Sequence, residues 1–173
     1  VPPRTTSIVI GNYRIAVPGS ADVLGHLGPV LASARAMRRH PSGALLFLNA
    51  GAELVAVNFQ DPASLASTPE VLGGIVVGPG EVKTLVGGGT STADGAVGTD
   101  TQLTDAIALA VGPSGEIYIC EHTSSRVLVF NAGNAPVTIA GTPLAVGTVR
   151  TVAGGNGAGR TGDGGAAAAA QLN

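Results

Sequence analysis

Apolar and polar residues alternate in short runs along the second half of the chain. The runs EIYIC and RVLVF, separated by a short polar turn, place an apolar residue at every second position. This period of two is typical of half-buried antiparallel strands, and the neighbouring Pro113-Ser114-Gly115 is a typical turn sequence. Together with the apolar run AIALAV and the β-branched run that begins at Val149, the pattern predicts four strands: Ala106–Val111, Glu116–Cys120, Arg126–Phe130 and Val149–Ala153.

The same order of sequence blocks occurs twice. The block VKTLVGGG, at Val82–Gly89, matches VRTVAGGN, at Val149–Asn156, and a looser copy occupies Tyr13–Ser20. The block at His40–Phe59 matches the one at Gly112–Asn131, and both contain Pro-Ser-Gly. The spacing is 67 residues for the first match and 72 for the second. A period of this length indicates a repeat of about four strands per unit.

This repeat divides the chain into four parts. Residues 1–20 are predicted to contribute the outer strand of a preceding unit, and residues 21–89 a divergent first unit. Residues 90–156 form the second unit, and residues 157–173 lead into a next one. Four-stranded antiparallel units in tandem are typical of propeller blades. We therefore expect an all-β fold, a β-propeller segment of about two complete blades plus flanking strands.

A family resemblance supports this division. The segments TVAGGNGAGRTGDGGAAAAAQLN and AIALAVGPSGEIYICEHTSSRVLVFN resemble the NHL-repeat family of β-propellers, in its bacterial type. The resemblance covers Val82–Asn173 well and Val1–Glu81 weakly, since Leu54 replaces the family's arginine and Asn49 its acidic residue. The positions that carry it are Gly162–Gly165, Ala170–Asn173, Tyr118, Glu121 and Arg126. Because such propellers usually close with about six blades, the resemblance implies other blades of the same propeller or other subunits as partners.

Composition excludes several classes of function. The chain has a formal net charge of −2 and a single lysine, Lys83, so it has no basic stripe for nucleic acid. Its single cysteine, Cys120, excludes an internal disulfide and a multi-cysteine metal site. No apolar run reaches the roughly 18 residues that a membrane span needs. The 27 glycines predict many turns.

An arginine-rich stretch is the first candidate for a binding site. In the repeat alignment Arg35, Arg38, Arg39 and His40 fall on the innermost strand of the first unit, which borders the central channel of a propeller. We expect them to contact an anion or an acidic partner there. Two alternatives remain: a solvated or paired strand, with Glu53 as the partner, or a helix, because residues 27–37 also show helical spacing.

A second candidate lies around the turn that joins two predicted strands. Glu121, His122 and Arg126 come close enough in sequence to form an acid–base or metal corner. We favour a structural role, in which Glu121 bonds the turn and pairs with Arg126. The three histidines fall in unlike parts of the unit, so no metal site and no cofactor are predicted.

The glycine-rich connectors hold the last candidates. Asp94 and Asp163 are predicted to brace turns, since one carboxylate per loop is too few for a calcium site. Gly157–Gly162 fits G-x-G-x-x-G, the fingerprint of dinucleotide sites. The equivalent stretch Val86–Gly95 lacks that spacing, so we interpret both as connectors between units.

The sequence predicts a non-catalytic scaffold or protein-interaction module. The segments Gln60–Gly80 and Ala132–Gly147, which link strands, are the expected contact surfaces for a protein partner. The glycine- and alanine-rich, lysine-poor composition of the repeat is similar to that of propellers in large secreted or surface-exposed bacterial proteins, including those beside Rhs/YD-repeat shells. Two alternatives stay open: part of a metal-dependent propeller lyase similar to peptidyl-hydroxyglycine lyases, and a subunit that builds a filament or shell through open blade edges.

Overall fold

The computed structural model of the chain describes residues 5–10, 13–18, 33–60 and 64–173. Regular structure in these residues consists of β-strands and two short 3-10 turns, Gly98–Asp100 and Ala167–Ala169. The strands are β1 (Thr5–Ile10), β2 (Tyr13–Pro18), β3 (Ala34–Arg39), β4 (Leu45–Asn49), β5 (Glu53–Val57), β6 (Glu70–Leu72), β7 (Ile75–Val77), β8 (Val82–Gly87), β9 (Ala106–Val111), β10 (Ile117–Glu121), β11 (Arg126–Phe130), β12 (Val137–Ile139), β13 (Thr142–Leu144) and β14 (Val149–Gly154). The prediction of an all-β fold is confirmed.

Eight of these strands form two four-stranded antiparallel sheets. The first sheet has the order β3-β4-β5-β8 and the second the order β9-β10-β11-β14. The four strands predicted in the second unit agree with the structure to within one residue at each end. The segment 1–20, predicted as the outer strand of a preceding unit, contains β1 and β2, which pair as an antiparallel hairpin.

The two sheets share their irregularities as well as their strand order. Arg35 is an extra residue in β3 opposite β4, and Ile107 is the extra residue at the same place in β9. Leu85 in β8 and Val152 in β14 form a second matching pair of bulges. Bulges increase the local twist of a strand, so the two sheets share two sites of added twist as well as their strand order.

A glycine closes the outer strand of each sheet. Gly87 has a φ of 105° and Gly154 a φ of 72°, in the left-handed region. A Cβ at Gly87 would overlap the carbonyl oxygen of Ala52, and a Cβ at Gly154 would overlap that of Ser125. The glycines that the repeated T-L-V-G and T-V-A-G blocks share are therefore required by contact with the preceding turn.

Each unit carries a small hairpin between its third and fourth strands. The segments expected to be partner-contacting loops contain β6 paired with β7, and β12 paired with β13. Both hairpins close through two-residue turns with positive φ at both positions, Gly73-Gly74 and Ala140-Gly141. This is the geometry of type I′ turns, which fit the twist of paired strands.

One buried asparagine anchors each hairpin. The Asn58 amide donates to the carbonyls of Thr68 and Val77, and its oxygen accepts from the amide of Gln60. Asn131 makes the same three bonds in the second unit, with Ala135, Leu144 and Gly133. Because each asparagine satisfies three groups, it holds the hairpin against the end of the third strand.

The main core lies between the two sheets. Alternation along a strand sends successive side chains to opposite faces, and one face of each sheet enters the core. From the first sheet the cluster includes Leu46, Leu48, Leu54, Ala56 and Leu85; from the second it includes Leu109, Ile117, Ile119, Leu128 and Phe130. These are non-equivalent faces of the repeat, so the sheets pack head to tail.

The structure decides between strand and helix for the arginine-rich stretch. Ala34–Arg39 is strand β3, paired with β4, and the helical alternative for this part is wrong. The earlier residues of that helical pattern, 27–32, lie outside the described residues. Inward-facing Ala36 packs against the core, which explains how a strand with three arginines is held in the sheet.

Candidate functional site

Of the four residues predicted to contact an anion or a partner, Arg39 and His40 line one open cleft, and Arg35 and Arg38 lie outside it. Arg35, Arg38 and Arg39 are all exposed on β3, and Arg38 donates to the neighbouring Met37 carbonyl at 2.8 Å. His40 is buried, with 7% of its surface exposed. Since β3 alternates its faces and Arg35 lies in the bulge, the arginine side chains are distributed around the strand.

Arg35 instead joins the two units. It forms an ion pair with Asp105, which precedes the first strand of the second sheet. His122 Nδ1 lies 3.4 Å from the other carboxylate oxygen of Asp105. The hydrogen bond from Arg35 is the main reason that the pKa of Asp105 is lowered, partial burial opposes it, and the charges of Arg35 and His122 add to it. Sequence reasoning proposed Glu53 as a partner and missed Asp105.

His40 forms a second polar link between the units. Its Nε2 lies 2.9 Å from the carbonyl oxygen of Gly115, in the turn between β9 and β10. Its Nδ1 accepts from the amide of Ser42 at 3.1 Å. The neutral tautomer with the proton on Nε2 satisfies both contacts, so His40 is occupied within the protein.

Glu121 and Arg126 form an ion pair, which we call the staple. Arg126 Nε donates to Glu121 Oε2 at 2.6 Å, and the Glu121 side chain is fully buried. The other carboxylate oxygen accepts from the amide of Thr104 at 2.6 Å. Arg126 also donates to the Gln102 carbonyl at 3.4 Å. The pair therefore fastens the segment that precedes β9 to the β10–β11 turn.

The first unit carries a reversed version of this pair. Asn49 opposes Glu53 across β4 and β5, as Glu121 opposes Arg126 across β10 and β11. Asn49 Nδ2 donates to Glu53 Oε2 at 3.1 Å. The residue equivalent to Arg126 is thus Glu53, and the sequence alignment of Leu54 with this arginine is wrong by one position. Leu54 is a fully buried core residue.

The two connector aspartates differ in their surroundings. Asp94 accepts from the amide of Thr151 in β14, 57 positions further on, at 2.8 Å. It therefore ties the connector to the second sheet, and the bond is not the local turn bond that the sequence suggested. Asp163, its equivalent in the last connector, is exposed and has no hydrogen-bond partner among the described residues.

The glycine motif near the end does not form a nucleotide cradle. A dinucleotide site places its glycine loop before a helix whose N-terminus meets the phosphates. In the structure Gly157–Gly162 is a loop, and the alanine run after it forms only the 3-10 turn Ala167–Ala169. The strand–loop–helix order of a dinucleotide site is therefore not formed in residues 157–173, and the interpretation as a connector stays a prediction.

The remaining feature is an apolar surface on the second sheet. Ile107, Cys120, Val127 and Leu172 line a groove on this side, bordered by Glu121, His122 and Arg126. Ile107 is 47% exposed, while Cys120 and Val127 are half-buried. We call Ile107, Cys120, Val127 and Leu172 the uncovered face.

The equivalent surface of the first sheet is covered. Leu48 and Leu54 occupy the positions of Cys120 and Val127, and both are fully buried against the second sheet. Leu103, in the first connector between β8 and β9, is 6% exposed in that core. Its equivalent Leu172, in the last connector after β14, is half-buried. The uncovered face is thus equivalent to the surface by which the first sheet packs on the second.

Within residues 33–60 and 64–173, no group of three or more histidine, cysteine, aspartate or glutamate side chains is placed to hold a metal ion. In the described residues no helix has the length and apolar character needed to cross a membrane. Comparison of the sequence with protein-family models and with curated proteins found no match.

Proposed function

We propose that this chain is a segment of a β-propeller of the NHL type that serves as a non-catalytic scaffold or protein-interaction module. One observation carries the proposal: the first sheet packs on the second through a face whose equivalent on the second sheet is uncovered. Head-to-tail packing of this kind is not self-limiting after two units, because it regenerates the same surface at each step.

The polar contacts support a structural role for the conspicuous side chains. Arg35, His40, Glu121 and Arg126 all bond within the protein, between strands or between units. Groups fixed in this way hold the sheets in register and are not available to react with a substrate. The expected partners are other blades, in the same chain or in other subunits, and a protein that binds the exposed sides of the small hairpins, where Val71 and Val76 are about half exposed.

Association of the purified chain tests the proposal. An apolar sheet face that lacks its partner promotes contact between molecules, so we expect sedimentation to show concentration-dependent association. Val127→Lys should reduce the association and cause only a small change of the melting temperature at concentrations where the parent chain is monomeric, because Val127 lies outside the main core. Thr92→Lys, on the exposed connector, is the matched control and should change neither. A monomer at all concentrations with a sharp cooperative melt would contradict the proposal.

A further inference from the structure

The tip of the first hairpin reaches into the second unit. The amide of Gly73 donates to the carbonyl of Ala132 at 2.8 Å. A Cβ at Gly73 would lie 2.5 Å from Phe130 Cζ and 3.1 Å from the Cα of Gly147. The tip can approach the second unit this closely only because position 73 has no side chain.

The tip of the second hairpin has the same geometry and no such neighbour. Ala140 occupies the position of Gly73, with a φ of 49°, and is followed by Gly141. Both residues are exposed, and a Cβ at Gly141 would meet no atom within 4 Å. The second tip thus differs from the first in one methyl group and in the lack of a contact.

The position that faces the tip also varies between the units. Phe130, at the end of β11, is the residue that a Cβ at position 73 would overlap. Its equivalent at the end of β5 is Val57, while the adjoining Asn58 and Gly80 match Asn131 and Gly147 in their hydrogen bonds. A valine in place of a phenylalanine frees the space that an alanine tip needs.

Resting on the proposed function, we propose that the Ala140-Gly141 tip docks on a further four-stranded unit of this repeat. The tip selects a unit that carries an aliphatic residue, and not phenylalanine, at the position of Phe130. The docked unit covers the uncovered face at the same time, because the first tip and the first sheet meet the second unit together. Ala140 then donates its amide to that unit as Gly73 does to Ala132.

Two residues of the last connector, residues 157–173, lack, among the described residues, contacts that their equivalents before the second sheet make, and a further unit would supply those contacts. Asp94 bonds β14 of the unit that follows it, and the equivalent Asp163 is exposed. Leu103 is buried between two sheets, and Leu172 is half-buried beside one. A further unit of the same geometry supplies both missing partners, which a smaller or non-repeating partner does not.

An extended chain tests the proposal directly. Asn173 corresponds to Thr104, so a copy of residues 105–156 joined after Asn173 adds one unit in register. The copy is made in two versions, one with phenylalanine and one with valine at its Phe130 position, and its own cysteine is replaced by serine. The measurements are hydrogen exchange at the Ala140 amide and the rate of alkylation of Cys120.

The two versions should differ at the tip. With valine, we expect the Ala140 amide to exchange at least about tenfold more slowly than in the unextended chain. With phenylalanine that protection should be lost, and Ala140→Gly should restore it. Alkylation of Cys120 should slow in both versions, since the uncovered face is covered in both.

The outcomes separate the two proposals. Equal protection of Ala140 in both versions, with Cys120 protected, overturns the size selection and leaves the scaffold proposal standing. An Ala140 amide and a Cys120 thiol that both stay unprotected in both versions overturn both proposals.

The size selection between the tip residue and the residue at the Phe130 position can also be measured within the unextended chain, if the extended one does not fold. Gly73→Ala should lower the melting temperature by about 4 °C more than Gly74→Ala, whose added Cβ meets no atom within 4 Å. In a Phe130→Val background that excess should shrink, since the space for a methyl group has been made. An excess that is unchanged by Phe130→Val overturns the proposal.

Discussion

Arg35, in the bulge of β3, forms an ion pair with Asp105, which precedes β9 in the next sheet. The pair connects two sheets whose apolar faces already share one core. The repeat alignment places Arg35 beside the central channel expected of a propeller, whereas its side chain contacts the neighbouring sheet. The equivalent position in the second sheet is Ile107, so this contact is specific to the boundary between these two units.

The Arg35–Asp105 pair should make stability depend on pH in the acid range. The pKa of Asp105 is lowered in the folded protein, mainly by the hydrogen bond from Arg35. The stabilisation of the folded state by this pair is therefore fully present above the unfolded aspartate pKa of about 3.9. It is lost as the pH falls through the lower pKa of Asp105 in the folded protein. Asp105→Asn should lower the melting temperature at pH 7, and the difference from the parent chain should vanish at low pH.

Two measurements separate this pair from its surroundings. His122 also faces Asp105, so His122→Ala should leave most of the effect of Asp105→Asn in place. Because both partners are partly exposed, 0.5 M salt should reduce the effect. A difference between parent and Asp105→Asn that stays constant from pH 7 to pH 2.5 would contradict the assignment.

Replacing the carboxylate by an amide should destabilise the protein far more at Glu121, in the staple, than at Glu53, its counterpart in the first sheet. Glu121 is fully buried and accepts from Arg126 and Thr104. Glu121→Gln places an amide donor or a neutral oxygen against Arg126, and breaking a buried pair of this kind costs about 3 kcal/mol. Chemical denaturation should show this loss as a shift of the midpoint with an unchanged slope.

Glu53→Gln is the matched control for the staple. Glu53 is only half-buried, and a glutamine there keeps an oxygen that accepts from Asn49. We expect a loss below about 1 kcal/mol. Equal losses for Glu121→Gln and Glu53→Gln would show that the buried charge pair has no special weight.

Much of the fold could be predicted because the second unit is locally consistent. In EIYIC and RVLVF the period of two, the turn residues and the β-branched side chains all favour the same strands, and the structure has them. The hairpins inside the inserts were missed, since strands of three residues are too short to give a period. The Gly73-Gly74 dipeptide was an available sign of the first turn, whereas Ala140-Gly141 is not one of the dipeptides preferred in such turns.

The contacts between units could be predicted only in part. The Glu121–Arg126 pair lies within one hairpin, so its spacing of five residues makes it readable from the sequence. Arg35 and Asp105 are 70 positions apart, and only the packing of one sheet on the next brings them together. Asn58 and Asn131 were also missed, although an asparagine after each third strand is visible in the repeat.

Asn131 should control the stability of the second hairpin. Its side chain bonds Ala135, Leu144 and Gly133, and Asn131→Ala leaves these backbone groups without partners. We expect a loss of about 2 kcal/mol and faster hydrogen exchange in β12 and β13. Asn58→Ala should do the same for β6 and β7 only. Faster exchange in both hairpins after either change would contradict this local role.

Leu54 and Val127 provide the sharpest comparison between the covered and the uncovered face. They occupy equivalent positions in β5 and β11, but Leu54 is fully buried against the second sheet and Val127 is half-buried. Leu54→Ala opens a cavity in the shared core and should cost about 3 kcal/mol. Val127→Ala should cost less than about 1 kcal/mol in the 173-residue chain, because few atoms pack on it. Similar losses for the two changes in denaturant titrations would mean that the face at Val127 is already covered.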